Sequence, residues 1–193
     1  MAATTSTMLS LGTPAPAFAL TNAIDGTTTS LEDFRGKRAL LVMFICNHCP
    51  FVVHVRDELT KLASDYLSRG VGIVAINANS NKSHPQDGPE AMRRLGLQLG
   101  WSFPFLFDET QDVAKAYRAA CTPDFYLFDA SFRLVYRGQL DDARPGNGIR
   151  VTGKHLRDAI DAVLEGRPVG EPQKPSVGCN IKWNAGNEPD YFR

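Results

Sequence analysis

The first sustained apolar run is Ala39-Leu40-Leu41-Val42-Met43-Phe44-Ile45, bounded by Arg38 and then by polar residues. A continuous run of that length predicts a buried strand. Beyond it Val52, Val55, Leu59, Leu62 and Tyr66 recur at helical spacing, which predicts one apolar helix face ending before Gly70. Val71 to Ile76 predicts a second buried strand, and Asn77 to Gly88 is a polar loop without periodicity. Pro89 and Glu90 open a second helix carrying Met92, Leu95 and Leu99, stopped by Gly100.

Phe103 to Phe107 predicts a short strand despite Pro104, and Asp108 can cap a helix bearing Val113, Ala116 and Tyr117. Phe125 to Phe128 and Leu134 to Tyr136 predict adjacent strands, joined by a turn at Asp129-Ala130-Ser131. Thr152 is placed to cap a last helix with Leu156, Ile160, Val163 and Leu164, ending at Gly166. Ahead of the first run, Ala17 to Leu20, the turn Asp25-Gly26 and the Thr27-Thr28-Thr29 stretch predict a β-hairpin. Ser30 caps a short turn over Leu31 to Phe34, with Asp33 three positions on. Strands that first alternate with helices and later form a hairpin predict a mixed sheet covered on both faces.

The ends differ in character. Residues 1–10 are rich in Thr, Ser and Ala and predict a flexible lead-in; the Asp141-Asp142-Arg144 loop predicts a solvated turn. The folded domain is expected over 11–166. From 167 to 193 prolines and glycines predict a segment without regular structure, but Ile181, Trp183, Tyr191 and Phe192 are poor residues to leave in water. That extension is expected to dock on the domain.

Lys+Arg and Asp+Glu both number 21 in 193 residues, so no bulk attraction to nucleic acid or an anionic membrane is expected. No apolar stretch reaches transmembrane length. The N-terminal residues lack a basic start and an extended apolar core, so no secretory signal is expected and the default compartment is the cytoplasm. Four cysteines are too few for a disulfide scaffold.

Two of those cysteines carry the chemistry. Cys46-Asn47-His48-Cys49-Pro50 joins the first buried strand to the first helix. A C-x-x-C there sits beside unpaired helix N–H groups, whose partial positive charge stabilises a thiolate, the nucleophile of thiol–disulfide exchange. His48 is either a solvated turn residue or an imidazolium that favours the Cys46 thiolate. A zinc half-site from Cys46, Cys49 and a histidine is the metal alternative, although zinc normally takes four ligands.

This element order, the C-x-x-C after the first central strand and Thr122-Pro123 before a late strand resemble the thioredoxin superfamily. The stretches from Met43 to Phe51, Cys121 to Phe125 and Pro175 to Trp183 are similar to the peroxiredoxin-like group of its redoxin branch, which includes alkyl hydroperoxide reductases. The resemblance implies a three-layer α/β/α sandwich with a mixed sheet, an N-terminal hairpin and a wrapped C-terminal extension. It implies a cis Pro123 packed on the cysteine pair, with Thr122 presented to a partner. Against true peroxiredoxins the motif departs: aligning Cys49-Pro50 on their Cys-Pro step puts Cys46 in the Thr place and Val42 in the proline place. Their arginine ahead of the late strand is replaced by Thr122-Pro123-Asp124.

The expectation is therefore a thiol–disulfide oxidoreductase with Cys46 attacking and Cys49 resolving, supported by His48, Pro50, Thr122 and Pro123. Cys121 and Cys179 are candidate additional redox thiols. No cofactor is expected, and the partners are protein or small-molecule thiols and disulfides, a thioredoxin-type reductant among the candidates. Two alternatives stay open: a thiol peroxidase with Cys49 peroxidatic and Cys46 resolving, and a Cys/His metal-binding protein.

Overall fold

The structure, a computed structural model, describes residues 3–192. Its centre is β4 (Ala39–Phe44), every residue of which is buried. β4 pairs in parallel with β5 (Val71–Asn77) and antiparallel with β8 (Asp124–Asp129). β6 (Phe105–Phe107) extends the sheet in parallel beyond β5, and β9 (Leu134–Gly138) pairs antiparallel with β8. The predicted hairpin, β2 (Ala19–Asn22) and β3 (Thr28–Ser30), closes the far edge through β2 against β6. The result is a seven-stranded mixed sheet in the order β3-β2-β6-β5-β4-β8-β9.

Period-two alternation sends the side chains of β4 to two separate cores. Leu41, Met43 and Ile45 pack with α1 (Pro50–Leu67), α2 (Pro89–Gln98) and α4 (Lys154–Leu164). Leu40, Val42 and Phe44 pack with α3 (Asp112–Ala116), Tyr117 and the tail residues Ile181 and Trp183. Among the described residues no helix is long and apolar enough to cross a membrane.

Four local expectations are corrected. Residues 3–5 are not a free lead-in: β1 (Ala3–Thr5) is a strand, and Ser6 is buried. Thr4 and Thr5 are strand formers whose signal the small residues around them mask. The Pro/Gly-rich tail contains β10 (Val177–Asn180), which joins β1 and β7 (Cys121–Thr122) in a second sheet ordered β1-β10-β7. Asp141 is not solvated; its buried carboxylate accepts the backbone N–H groups of Thr152 and Gly153, both at 2.7 Å. Asp141 therefore holds the start of α4, where Gly153 rather than Thr152 is the N-cap, in a left-handed conformation suited to glycine (φ +67°).

Candidate active site

β4 ends at Phe44, and Ile45 still donates its N–H to Ile76 O at 3.0 Å, so the cysteine motif begins where sheet pairing stops. Cys49 is the N-cap of α1 and Pro50 its first residue, a place where the missing proline N–H costs nothing. The motif is held from three sides.

The first is β7, whose Thr122–Pro123 peptide bond is cis. Thr122 touches both sulfurs: its Oγ1 lies 3.4 Å from Cys46 Sγ, and its carbonyl oxygen 3.2 Å from Cys49 Sγ. The second is the loop before α2. Asp87 is fully buried, and its Oδ1 accepts the N–H groups of Asn47 (2.9 Å) and His48 (3.3 Å). Its Oδ2 accepts from Asn79 Nδ2 at 2.8 Å and lies 2.6 Å from His48 Nδ1. His48 also stacks on His84, with ring centroids 5.1 Å apart.

The third side is the tail. β10 runs antiparallel to β7 with Cys179 opposite Thr122. Gly178 makes that possible: a Cβ there would stand 2.0 Å from Thr122 O, far inside van der Waals contact. The Thr122 edge expected to receive a partner is thus paired with this chain's own strand.

Cys46 was expected to be the more exposed sulfur at the helix mouth. Both motif residues are instead 0 % exposed, because β7, β10 and the Asp87 loop close over them. The two thiols titrate as a unit, and their coupling raises the Cys46 pKa while lowering that of Cys49. Its pKa is lowered by the Cys46 thiol first, then by the Cys179 side chain and the backbone N–H groups of Val52 and Cys179, against the cost of burial. Cys46 is pushed up by its hydrogen bond to Cys49, by burial and by the negative charge of Asp87, while Thr122 opposes this weakly. The hydrogen bond that Cys49 Sγ makes in the structure is donated to the Thr122 carbonyl, which favours its thiol.

Cys121 donates to Pro123 O at 3.7 Å and is pushed up by burial; it hydrogen-bonds to neither motif sulfur. Asp87 was not legible in the sequence, since it stands alone in an aperiodic polar loop. Among the described residues, the side chains close enough to share a cation are Cys46, His48 and Asp87, not the two cysteines with a histidine. Both Asp87 oxygens are already occupied by hydrogen-bond donors, so this trio is built as a polar network around Cys46.

Relatives agree with this architecture. A protein of Geobacillus kaustophilus, solved as an uncharacterized conserved protein, is 60% identical; the match covers 95% of this chain and 97% of that one, with a TM-score of 0.94. The thiol-disulfide oxidoreductase ResA of the same organism is 28% identical over 128 residues, 65% of this chain and 67% of ResA. The Mycobacterium tuberculosis peroxidoxin BcpB shares the fold: TM-score 0.59 at 14% identity, covering 81% of this chain and 96% of BcpB. Residues 10–150 match the Redoxin family. With its thioredoxin-like mixed sheet and its cysteine motif at the start of α1, the chain belongs to the Redoxin family, whose chemistry is thiol–disulfide and peroxiredoxin-like oxidoreduction.

Proposed function

We propose that the chain is a thiol–disulfide oxidoreductase cycling between the Cys46–Cys49 dithiol and its disulfide, with Cys49 attacking and Cys46 resolving. The observation that carries this reading is the pair itself: two buried thiols at the start of a helix, Thr122 against both sulfurs, and Asp87 and His48 grouped around Cys46. The order reverses the one expected from sequence, because the Cys46 thiol, and after it Cys179 and the Val52 amide, lower the Cys49 pKa while Asp87 raises that of Cys46.

The Cys49 thiolate attacks one sulfur of a substrate disulfide and expels the other as a thiolate. Cys46 then gives up its proton to the neighbouring His48–Asp87 pair and attacks Cys49 Sγ. The Cys46–Cys49 bond forms, the second substrate thiolate leaves, and that thiolate takes the proton. Two electrons pass from the dithiol to the substrate; the reverse sequence oxidises a substrate dithiol. The sulfur supplies the electrons without an organic cofactor, and a reducing compartment such as the cytosol suits a resting dithiol.

One observation favours a second reading. A site closed to 0 % exposure at both sulfurs admits a small peroxide more readily than a folded protein. The same Cys49 thiolate would then attack the O–O bond, and Cys46 would resolve the sulfenic acid with release of water. Reduction of insulin disulfides and consumption of hydrogen peroxide, each with dithiothreitol as reductant, separate the two. Disulfide reduction lost in both Cys46→Ser and Cys49→Ser supports the main reading; peroxide turnover without disulfide reduction replaces it with the second.

A further inference from the structure

The geometry points to Cys179 as a second resolving thiol for Cys49. This rests on the proposed role of Cys49 as the attacking sulfur and adds a partner from outside the motif. Cys179 is opposite Thr122 in the β10–β7 pairing, and the carbonyl of Thr122 is 3.2 Å from Cys49 Sγ. Cys179 is 3 % exposed and lies in the same apolar cluster as Cys46 and Cys49. The Cys49 and Cys179 thiols lie close enough to perturb each other's titration. Cys49 therefore stands between two thiols, one from its own motif and one from the tail.

The placement is built in. Gly178 lets β10 approach Thr122 more closely than any other residue could, and Ile181 and Trp183 anchor the strand just beyond it. The other spare cysteine provides the contrast, because Cys121 is bonded to the Pro123 carbonyl and lies outside that cluster. Cys179 is held as a neutral thiol, its pKa pushed up to about 12 by burial and then by the Cys49 side chain. It therefore attacks as a thiol whose proton passes to the departing sulfur.

Two exchanges are open to it. When Cys49 is in a mixed disulfide with a substrate, Cys179 Sγ attacks Cys49 Sγ, the Cys49–Cys179 bond forms, and the substrate thiolate leaves with the Cys179 proton. When Cys49 is already joined to Cys46, the same attack breaks the Cys46–Cys49 bond and releases Cys46 as the thiolate that takes the proton. The first exchange completes a two-electron transfer. The second is redox-neutral, moving the disulfide from the motif to the tail and leaving Cys46 free.

The test uses the full chain treated with oxidised glutathione, followed by alkylation and peptide mapping. In Cys46→Ser, and in Cys46→Ala should the serine perturb folding, we expect a Cys49–Cys179 disulfide and the loss of two thiols per chain. A persistent glutathione adduct on Cys49, with Cys179 alkylated, overturns the proposal. In wild-type protein oxidised by two electrons, Cys46 should be alkylated in a measurable fraction of molecules, falling at least tenfold in Cys179→Ala. Alkylation of Cys46 to the same extent in Cys179→Ala also overturns it. Whether wild-type protein forms any Cys46–Cys49 disulfide decides the proposed function separately, since the Cys46→Ser result does not depend on that bond.

Discussion

His48 Nδ1 lies 2.6 Å from Asp87 Oδ2, joining a partly exposed ring to a fully buried carboxylate from a loop 39 positions away. The pair sits beside Cys46, and the negative charge of Asp87 raises the Cys46 pKa. Removing the ring in His48→Ala leaves the Asp87 charge without its partner, and a bare negative charge beside the cysteine pair disfavours its thiolate form. A dithiol with a less stable thiolate is less oxidising, so the redox potential should fall by about 30 mV, equivalent to about 1.4 kcal/mol for two electrons. Asp87→Asn should move the potential upward. Titration in glutathione redox buffers reads both, and shifts of the same sign would defeat this account of the pair.

Thiolate character on Cys49 has a kinetic signature. An ordinary thiol loses about tenfold in alkylation rate per pH unit below its pKa of about 8.5. Cys49, held well below that range by the donors around it, should keep a nearly constant intrinsic rate from pH 8 down to pH 6. Cys46 should label more slowly and lose rate as pH falls. Timed iodoacetamide labelling with peptide mass spectrometry measures each residue, and a Cys46 rate above that of Cys49 at pH 7 would restore Cys46 as the attacking sulfur.

Asp124 follows Pro123 and is fully buried, accepting hydrogen bonds from Ser6 Oγ at 2.9 Å and Tyr126 Oη at 3.0 Å. Burial raises its pKa to about 7, with the Ser6 and Tyr126 bonds opposing. The folded chain therefore holds a proton that the unfolded chain, with a carboxyl pKa of about 3.9, has already released. The stabilisation is full below pH 4 and is lost as pH rises toward 7, with a total on the order of 4 kcal/mol. Urea unfolding at several pH values should show that decline in wild type and a flatter profile in Asp124→Asn. Parallel profiles for the two proteins would remove Asp124 as the source.

Gly178→Ala should break the close contact between β10 and Thr122. Forcing a methyl group into packed surroundings costs about 1–3 kcal/mol, and here the obstructing atom is a backbone carbonyl that cannot rotate away. The expected result is a loss of stability in that range together with faster alkylation of the motif cysteines. Unchanged labelling would mean that β10 is not what shields them.

Much of this arrangement was written in local pattern. The uniform run from Ala39 to Ile45 and the helical spacing from Val52 to Tyr66 gave β4 and α1, and the motif between them marked the site. What escaped was long-range. Asp87 has no periodicity around it to distinguish it from a solvated loop residue, and its meaning comes only from the two asparagines and the motif amides that converge on it. β10 escaped because proline and glycine composition argues against a strand, whereas Gly178 is there to permit one. The lowered pKa of Cys49 could not be read from spacing, since Cys179 of the tail adds to the effect of Cys46 and Asp87 of a loop raises the Cys46 partner.

β1 has β10 as its strand partner among the described residues, and Ser6 meets Ser176 across 170 positions of chain. A strand near the beginning of the sequence therefore has nothing to pair with until a strand near the end has been made. Contacts so distant in sequence form late, because the intervening chain must first be ordered. The large sheet around β4 can assemble before them, leaving the cysteine motif open to its surroundings. Closure over the sulfurs then follows the central sheet in assembly, and the reactive thiols are open in the interval to whatever oxidants or thiols surround the chain.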